Sequence, residues 1–343
     1  LVYSVSHNHW CGNIGSFGQT DPVSNWTYYY ANATTKYATR IVGREQTTRY
    51  TNFEGQPGPT LVNWFPTFNV GTYTGSGQGP WSVTGNDRYI IMGGEFTLVN
   101  GVPQQGLSRF PAGDIAPNAI GPSYSGTSWP LSVRPIGEGA LRISWQANAD
   151  RDDEHLLYEV VRDGRSASPV GTIDAASQMW RRPFMGFTDT GLEPGSEHTY
   201  YVRATDASGN RVYTETLTAV ASGSAPVSDY ARLVLEDGAS HYWRLGESSG
   251  PSVADWASVN DGTAGSGVTF GSEGAIAGDA NTGARFSSSL PGRVLAANEE
   301  LGSNYFSMEA WVRASSSERG RIVGFGSADD LDVISSSYGR HVY

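Results

Sequence analysis

The 343 residues carry 23 basic and 34 acidic side chains, a formal net charge of −11, with 17% charged residues, 12% aromatics and 43 glycines. Abundant Gly with few helix formers excludes a helical bundle, and the aromatic content excludes a disordered chain. The acidic balance excludes nucleic acid as the main partner, because phosphate binding needs clustered Lys and Arg.

The length predicts two or three domains. No stretch approaches the ~18 apolar residues of a membrane helix, so no membrane insertion is expected in these residues. The single cysteine, Cys11, permits no intrachain disulfide. Lys36 is the one lysine against twenty-two arginines, a bias that points to a GC-rich, bacterial genome.

Three segments differ in texture. In the first, residues 1–118, Leu1 to Ser6 alternate, as do Trp81 to Val83, and Arg88 to Met92 form a continuous apolar run suited to a buried strand. Asn100-Gly101 is a tight hairpin pair, because both residues tolerate positive φ. Residues 111–126 contain three prolines without apolar periodicity and read as a spacer, with 119–128 as the linker proper.

In the second segment, 129–223, the run Ala140 to Gln146 places Leu141, Ile143 and Trp145 opposite Arg142 and Ser144. An acidic loop, Asp150-Arg151-Asp152-Asp153-Glu154, precedes the strand pattern Leu157 to Arg162. Asp163-Gly164 marks a turn, and Tyr200, Val202 and Ala204 then alternate with Tyr201 and Arg203. Short strands at this spacing predict a β-sandwich.

In the third segment, 224–343, Tyr230 to Gly238 is amphipathic and predicts one or two helical turns. His241 to Leu245 and Phe306 to Arg313 read as strands. The second of these sets Phe306, Met308, Ala310 and Val312 against Ser307, Glu309, Trp311 and Arg313, so that Trp311 points outward.

The run Gly93-Gly94-Glu95-Phe96 through Asn100-Gly101 to Arg109-Phe110 resembles the closing part of a bacterial β-propeller of the delta-60 repeat type. Trp145, together with Leu192-Glu193-Pro194-Gly195 leading into Tyr200 and Val202, resembles a fibronectin type III domain. His198 stands where that family's corner tyrosine is expected, so imidazole or Tyr200 must replace its hydrogen bond. His241-Tyr242-Trp243, Asp255-Trp256, Asp261-Gly262-Thr263 and Ser307 to Val312 resemble a laminin G-like, concanavalin-type jelly roll. The expected fold class is therefore all-β: propeller blades, a fibronectin type III sandwich and a truncated jelly roll. A partial propeller and a partial jelly roll imply a fragment, completed or assembled through its truncated ends.

Four constellations carry candidate chemistry. His7, His9 and Cys11 would share one face of a strand, where imidazole and thiolate suit zinc or copper. The competing reading is plain packing of that strand, with Trp10 on the other face. Asp150, Asp152 and Asp153, with Asp206 and Asn210 from a neighbouring loop, offer the oxygens that calcium takes. The competing reading is a solvated loop partly neutralised by Arg151. The resemblance to laminin G-like domains makes Asp255, Asp261 and Asp279 calcium candidates at a sandwich rim. Exposed Trp256 and Trp311 would suit stacking on sugar rings, against the ordinary role of tryptophan in cores. No hydrolase, phosphate-loop or dinucleotide motif is present, so an enzyme is not expected.

These resemblances imply a secreted or cell-surface recognition protein. It would bind polysaccharide or a surface protein through the jelly roll, with the sandwich as spacer and calcium as the one cofactor in view. Accessory regions of an extracellular carbohydrate-active enzyme, or a structural subunit of an appendage or phage fibre, are the alternatives.

Overall fold

In a computed structural model of the chain, the structure describes residues 1–19, 23–45, 50–112, 115–116, 120–223, 226–288, 290–297, 306–313, 321–325 and 340–342. It is nearly all β.

The first segment folds into two small antiparallel sheets with a shared core. In one, β1 (Val2–Asn8) pairs with β2 (Tyr29–Thr34), which pairs with β5 (Leu61–Val62). The short strands β3 (Arg40–Ile41) and β4 (Pro57–Gly58) form a separate pair. In the other sheet, β7 (Tyr89–Gly94) lies between β6 (Pro80–Gly85) and β10 (Leu107–Pro111). The hairpin β8 (Leu98–Val99) and β9 (Val102–Pro103) turns at Asn100-Gly101, both at positive φ as expected. Ala31, Phe68, Ile90, Met92 and Phe96 are buried between the sheets.

The apolar run in β7 is not buried on both sides. Ile90 and Met92 face the core while Ile91 is exposed, the ordinary alternation of a sheet with one wet face. At Gly94 a Cβ would lie 2.2 Å from the carbonyl oxygen of Gly79, so the close approach of β6 requires glycine there. Among the described residues each sheet has three strands, whereas a propeller blade has four.

The second segment is a two-sheet sandwich. One sheet has the order β11 (Leu131–Gly137), β12 (Ala140–Gln146), β15 (Phe184–Asp189). The other runs β14 (Gly171–Ala176), β13 (His155–Arg162), β16 (Glu197–Thr205), with β17 (Arg211–Tyr213) and β18 (Leu217–Val220) both on the far side of β16. Three strands facing a larger sheet, in this connectivity, make the fibronectin-type arrangement that Trp145 predicted. Trp145 is fully buried with Trp129, Leu141, Ile143, Tyr158, Tyr200 and Val202.

At the corner position, His198 and Tyr200 both bond to side chains. One nitrogen of His198 bonds Asp163 and the other bonds Ser196, each at 2.9 Å. Tyr200 donates to Asp189 at 2.8 Å. The linker, by contrast, is not a free spacer where it is described. Ser123 donates to the Ala149 carbonyl, Tyr124 exchanges hydrogen bonds with Asn148, and Arg182 lies 3.9 Å over the Tyr124 ring.

The third segment begins with α1 (Asp229–Glu236), capped by Ser228, whose side chain accepts from the Ala231 amide. Small sheets follow: β19 (Ser252–Val253), β20 (Gly262–Ala264) and β23 (Val294–Ala296) in one, β21 (Val268–Ser272) with β22 (Gly283–Phe286), and β24 (Val323–Phe325) with β25 (Arg340–Val342).

Two predicted strands are absent here. Residues 241–245 hydrogen-bond to a loop instead of a ladder: Tyr242 N–H donates to Asp255, and the Tyr242 carbonyl accepts from Trp256 N–H. Leu245 then takes φ +57°, which ends any extended run. Phe306 to Arg313 has no ladder partner among the described residues, and Phe306 and Val312, expected to face a core, are exposed.

This segment leans on the sandwich. Arg134 holds both carboxylate oxygens of Asp261, at 2.9 and 3.2 Å. Arg142 and Ser144 both donate to the Ala257 carbonyl, at 3.2 and 3.1 Å. The face of β12 opposite Trp145 is therefore covered, and Arg142 and Ser144 are buried.

Candidate functional site

The acidic loop leaves β12 through Asn148, which is fully buried. Its side-chain oxygen accepts from the amides of Tyr124 and Ala149, and its own amide donates to the Tyr158 hydroxyl. This turns the chain inward, so that Asp150 is fully buried. One oxygen of Asp150 accepts from the amides of Asp152 (3.1 Å) and Asp153 (3.4 Å), a turn that Asp forms readily. Its other oxygen, Oδ2, is buried and meets no N–H or hydroxyl donor, and the same holds for Oδ2 of Asp153.

The turn between β16 and β17 brings Asp206 to the same place. Carboxylate oxygens of Asp150, Asp153 and Asp206 lie within 4.8 Å of one another. Asn210 serves Asp206, donating to it from backbone and side chain at 2.7 Å each. Asp152 stands beside the cluster and outside it.

Burial, then the hydrogen bond and charge of Asp150 and the charge of Asp153, push the Asp152 carboxyl up to about 8. Burial, then the charges of Asp150 and Asp206, raise Asp153. Two carboxylates ~4 Å apart repel by about 4 kcal/mol at an effective dielectric near 20, so three together are costly without a cation. Arg151 does not supply one, contrary to expectation. Its guanidinium donates to the Phe65 carbonyl at 3.2 Å, and its own carbonyl accepts from Phe65 N–H at 3.0 Å. Asn63 donates to the Asp150 carbonyl at 3.2 Å. The loop is thus pinned to the chain that follows β5.

A groove of about 390 Å³ lies on the same junction. Tyr28, Tyr30, Phe68 and Tyr124 line it, with Arg151 as its charged group. Tyr28 and Tyr30 stack at 6.1 Å, and His9 stacks on Trp26 at 3.9 Å nearby. The sequence reading missed this groove, because its walls come from separate stretches of chain, from Thr27 to Met179. The dense run Trp26 to Tyr30 was the available signal.

The remaining candidates fall apart as sites. His7, His9 and Cys11 do not share a strand face: β1 ends at Asn8, with its register already shifted after Val5. His9 bonds the His7 carbonyl and Tyr50, and burial pushes the Cys11 thiol up to about 11.

Asp255, Asp261 and Asp279 do not converge either. Asp255 is fully buried and bonded to His241 and Ser258, Asp261 is held by Arg134, and Asp279 by Arg244 and Ser228. Each charge already has a donor, so none is left facing a vacant rim. Trp256 is half-buried against the sandwich, and Arg244 sits 4.5 Å over its ring where a sugar would have to stack. Trp311 is exposed, its indole donating to the Tyr230 hydroxyl at 2.9 Å.

No family model matches the chain, and no curated protein does. Among solved structures, it is similar to the sixth fibronectin type III domain of human fibronectin type III domain containing protein 3. That match has 16% identity and TM-score 0.24, and covers 33% of this chain and 96% of that one. Domains d3–d4 of the rat CD45 extracellular region match at 10% identity and TM-score 0.24, over 59% of this chain and 86% of that one. The FN1–FN3 domains of chicken CNTN1 match at 13% identity and TM-score 0.22, over 50% and 72%. Scores this low carry no argument about function, and the strand order itself defines the sandwich.

Proposed function

We propose that this chain is a recognition protein of the cell surface or the extracellular medium, working by binding and not by catalysis. The tyrosine-lined groove between the N-terminal sheets and the sandwich carries this reading. Flat aromatic faces with one arginine suit a saccharide, whose apolar ring faces stack on aromatics while its hydroxyls take hydrogen bonds. Exposed Trp311 on the third segment offers a second aromatic contact. No helix of the described residues is long and apolar enough to cross a membrane. The propeller and jelly-roll assignments of the outer segments rest on their sequence resemblance and belong to this proposal.

A panel of polysaccharides and glycans, with surface proteins beside them, tests it. Saturable binding to a glycan is expected, weakened by Tyr28→Ala with the fold intact. Binding unaffected by Tyr28→Ala but lost with Trp311→Ala would move the site to the third segment, as the jelly-roll resemblance implies. Binding to no glycan and no protein would overturn the proposal.

A further inference from the structure

We propose that Asp150, Asp153 and Asp206 form a calcium site that locks the acidic loop of the sandwich where the N-terminal sheets are pinned to it. Three observations meet at this point. Carboxylate oxygens from two loops, far apart in sequence, lie within 4.8 Å of one another. Asp150 is fully buried, and its Oδ2 meets no N–H or hydroxyl donor. A buried carboxylate oxygen left unpaired is costly unless a proton or a cation meets it. Oδ2 of Asp153 is in the same condition.

The donor set selects the ion. All the oxygens are hard, and no imidazole or thiolate joins them, which favours calcium or magnesium over zinc or copper. Calcium takes six to eight oxygens in flexible geometry, whereas magnesium demands a near-ideal octahedron. Carboxylates from two separate turns, with carbonyls and water completing the shell, suit calcium.

The site's position gives its consequence. The Asp150 and Arg151 carbonyls accept from Asn63 and from Phe65 N–H, so the loop that would hold the ion also holds the N-terminal region. Calcium would stiffen this junction, whatever ligand the neighbouring groove takes.

The full chain, stripped by chelator and titrated with calcium chloride alone, tests this by calorimetry and thermal unfolding. One saturable site is expected, filling in the range about 0.1–1 mM typical of extracellular modules. Ligand bound only to the folded state raises the melting temperature. Asp153→Asn should weaken binding about tenfold or more, since affinity follows the charge of the ligand set. The same variant should leave the chelated protein as stable as before, or more so, because one repelling charge is gone. This sign separates a cation site from a structural carboxylate. Asp206→Asn, which keeps an acceptor for Asn210, gives the second variant. No heat and no thermal shift up to about 5 mM calcium would overturn the proposal. So would calcium binding left intact by both variants, or magnesium binding as tightly as calcium.

Discussion

The sandwich buries Leu141, Ile143, Trp145, Leu156, Tyr158, Val160 and Val202 among one another, all from its own strands. The region after residue 226 is different. Its buried cluster joins Leu235 and Ala257 to Ile136 and Ala140, and those last two belong to β11 and β12 of the sandwich. One region makes its own core, and the other borrows a face. The polar contacts agree: Arg134, Arg142 and Ser144 of the sandwich all reach across to Asp261 or Ala257. Dependence of this kind runs one way, because removing the borrower leaves the lender's core in place.

That asymmetry can be broken or sharpened by substitution. Trp145→Ala empties the middle of the sandwich and should cost about 3–5 kcal/mol. Denaturant unfolding is expected to show both regions lost together, since the second has nothing left to lean on. Survival of the third region after loss of the sandwich would show that it has a core of its own.

Asp255→Asn should cost roughly 2–3 kcal/mol, the scale of hydrogen bonds to a charged group. Its loss should be confined to the third region, read as faster amide exchange there with sandwich amides still protected. Burial pushes the Asp255 carboxyl upward, but hydrogen bonds from His241, Ser258 and Tyr242 N–H outweigh it and hold the group below the ordinary aspartate range. The stability this provides is present above the unfolded aspartate pKa. It is lost as pH falls through the lower folded value. Wild type should therefore lose stability in the third region below about pH 4, and Asp255→Asn should flatten that limb. An unchanged acid limb in the variant would remove Asp255 from the account.

Ser228→Ala takes the cap from α1 and the hydroxyl that donates to Asp279 at 2.6 Å. About 1 kcal/mol is expected, with exchange in α1 as the readout. Smallest is the Arg134–Asp261 pair, whose side chains are 23% and 41% exposed. A double-mutant cycle should give a coupling of about 0.5 kcal/mol, because solvent screens it. A coupling several times larger would mean that the interface is drier and tighter than these exposures imply.

Legibility in the sequence followed the same division. Strands that pack on their own neighbours were readable from alternation: Tyr200, Val202 and Ala204 face the core as their period requires, and Asn100-Gly101 and Asp163-Gly164 turn where expected. Local chemistry dictates these features, since period two and positive φ are properties of a few adjacent residues. Residues 241–245 show the limit. Their pattern is that of a strand, yet a strand also needs a partner, and Asp255 takes the Tyr242 amide first.

The acidic loop divides in the same way. Its carboxylates and its partner loop were visible as charge in the chain, but not the selection among them. The structure draws Asp150, Asp153 and Asp206 together, leaves Asp152 beside them, spends Asn210 on Asp206, and turns Arg151 toward Phe65. The groove could not be read at all, because Tyr28, Phe68 and Tyr124 become neighbours only when the N-terminal sheets and the sandwich meet.

By itself, then, the sequence determined the all-β class, the sandwich with Trp145 at its centre, and the places where turns fall. These depend on side-chain period and backbone freedom over a few residues. Only the tertiary structure decided which face of β12 is covered, which carboxylates gather, and which aromatics line a groove. Those outcomes depend on contacts between residues tens to more than a hundred positions apart, and no local pattern encodes them.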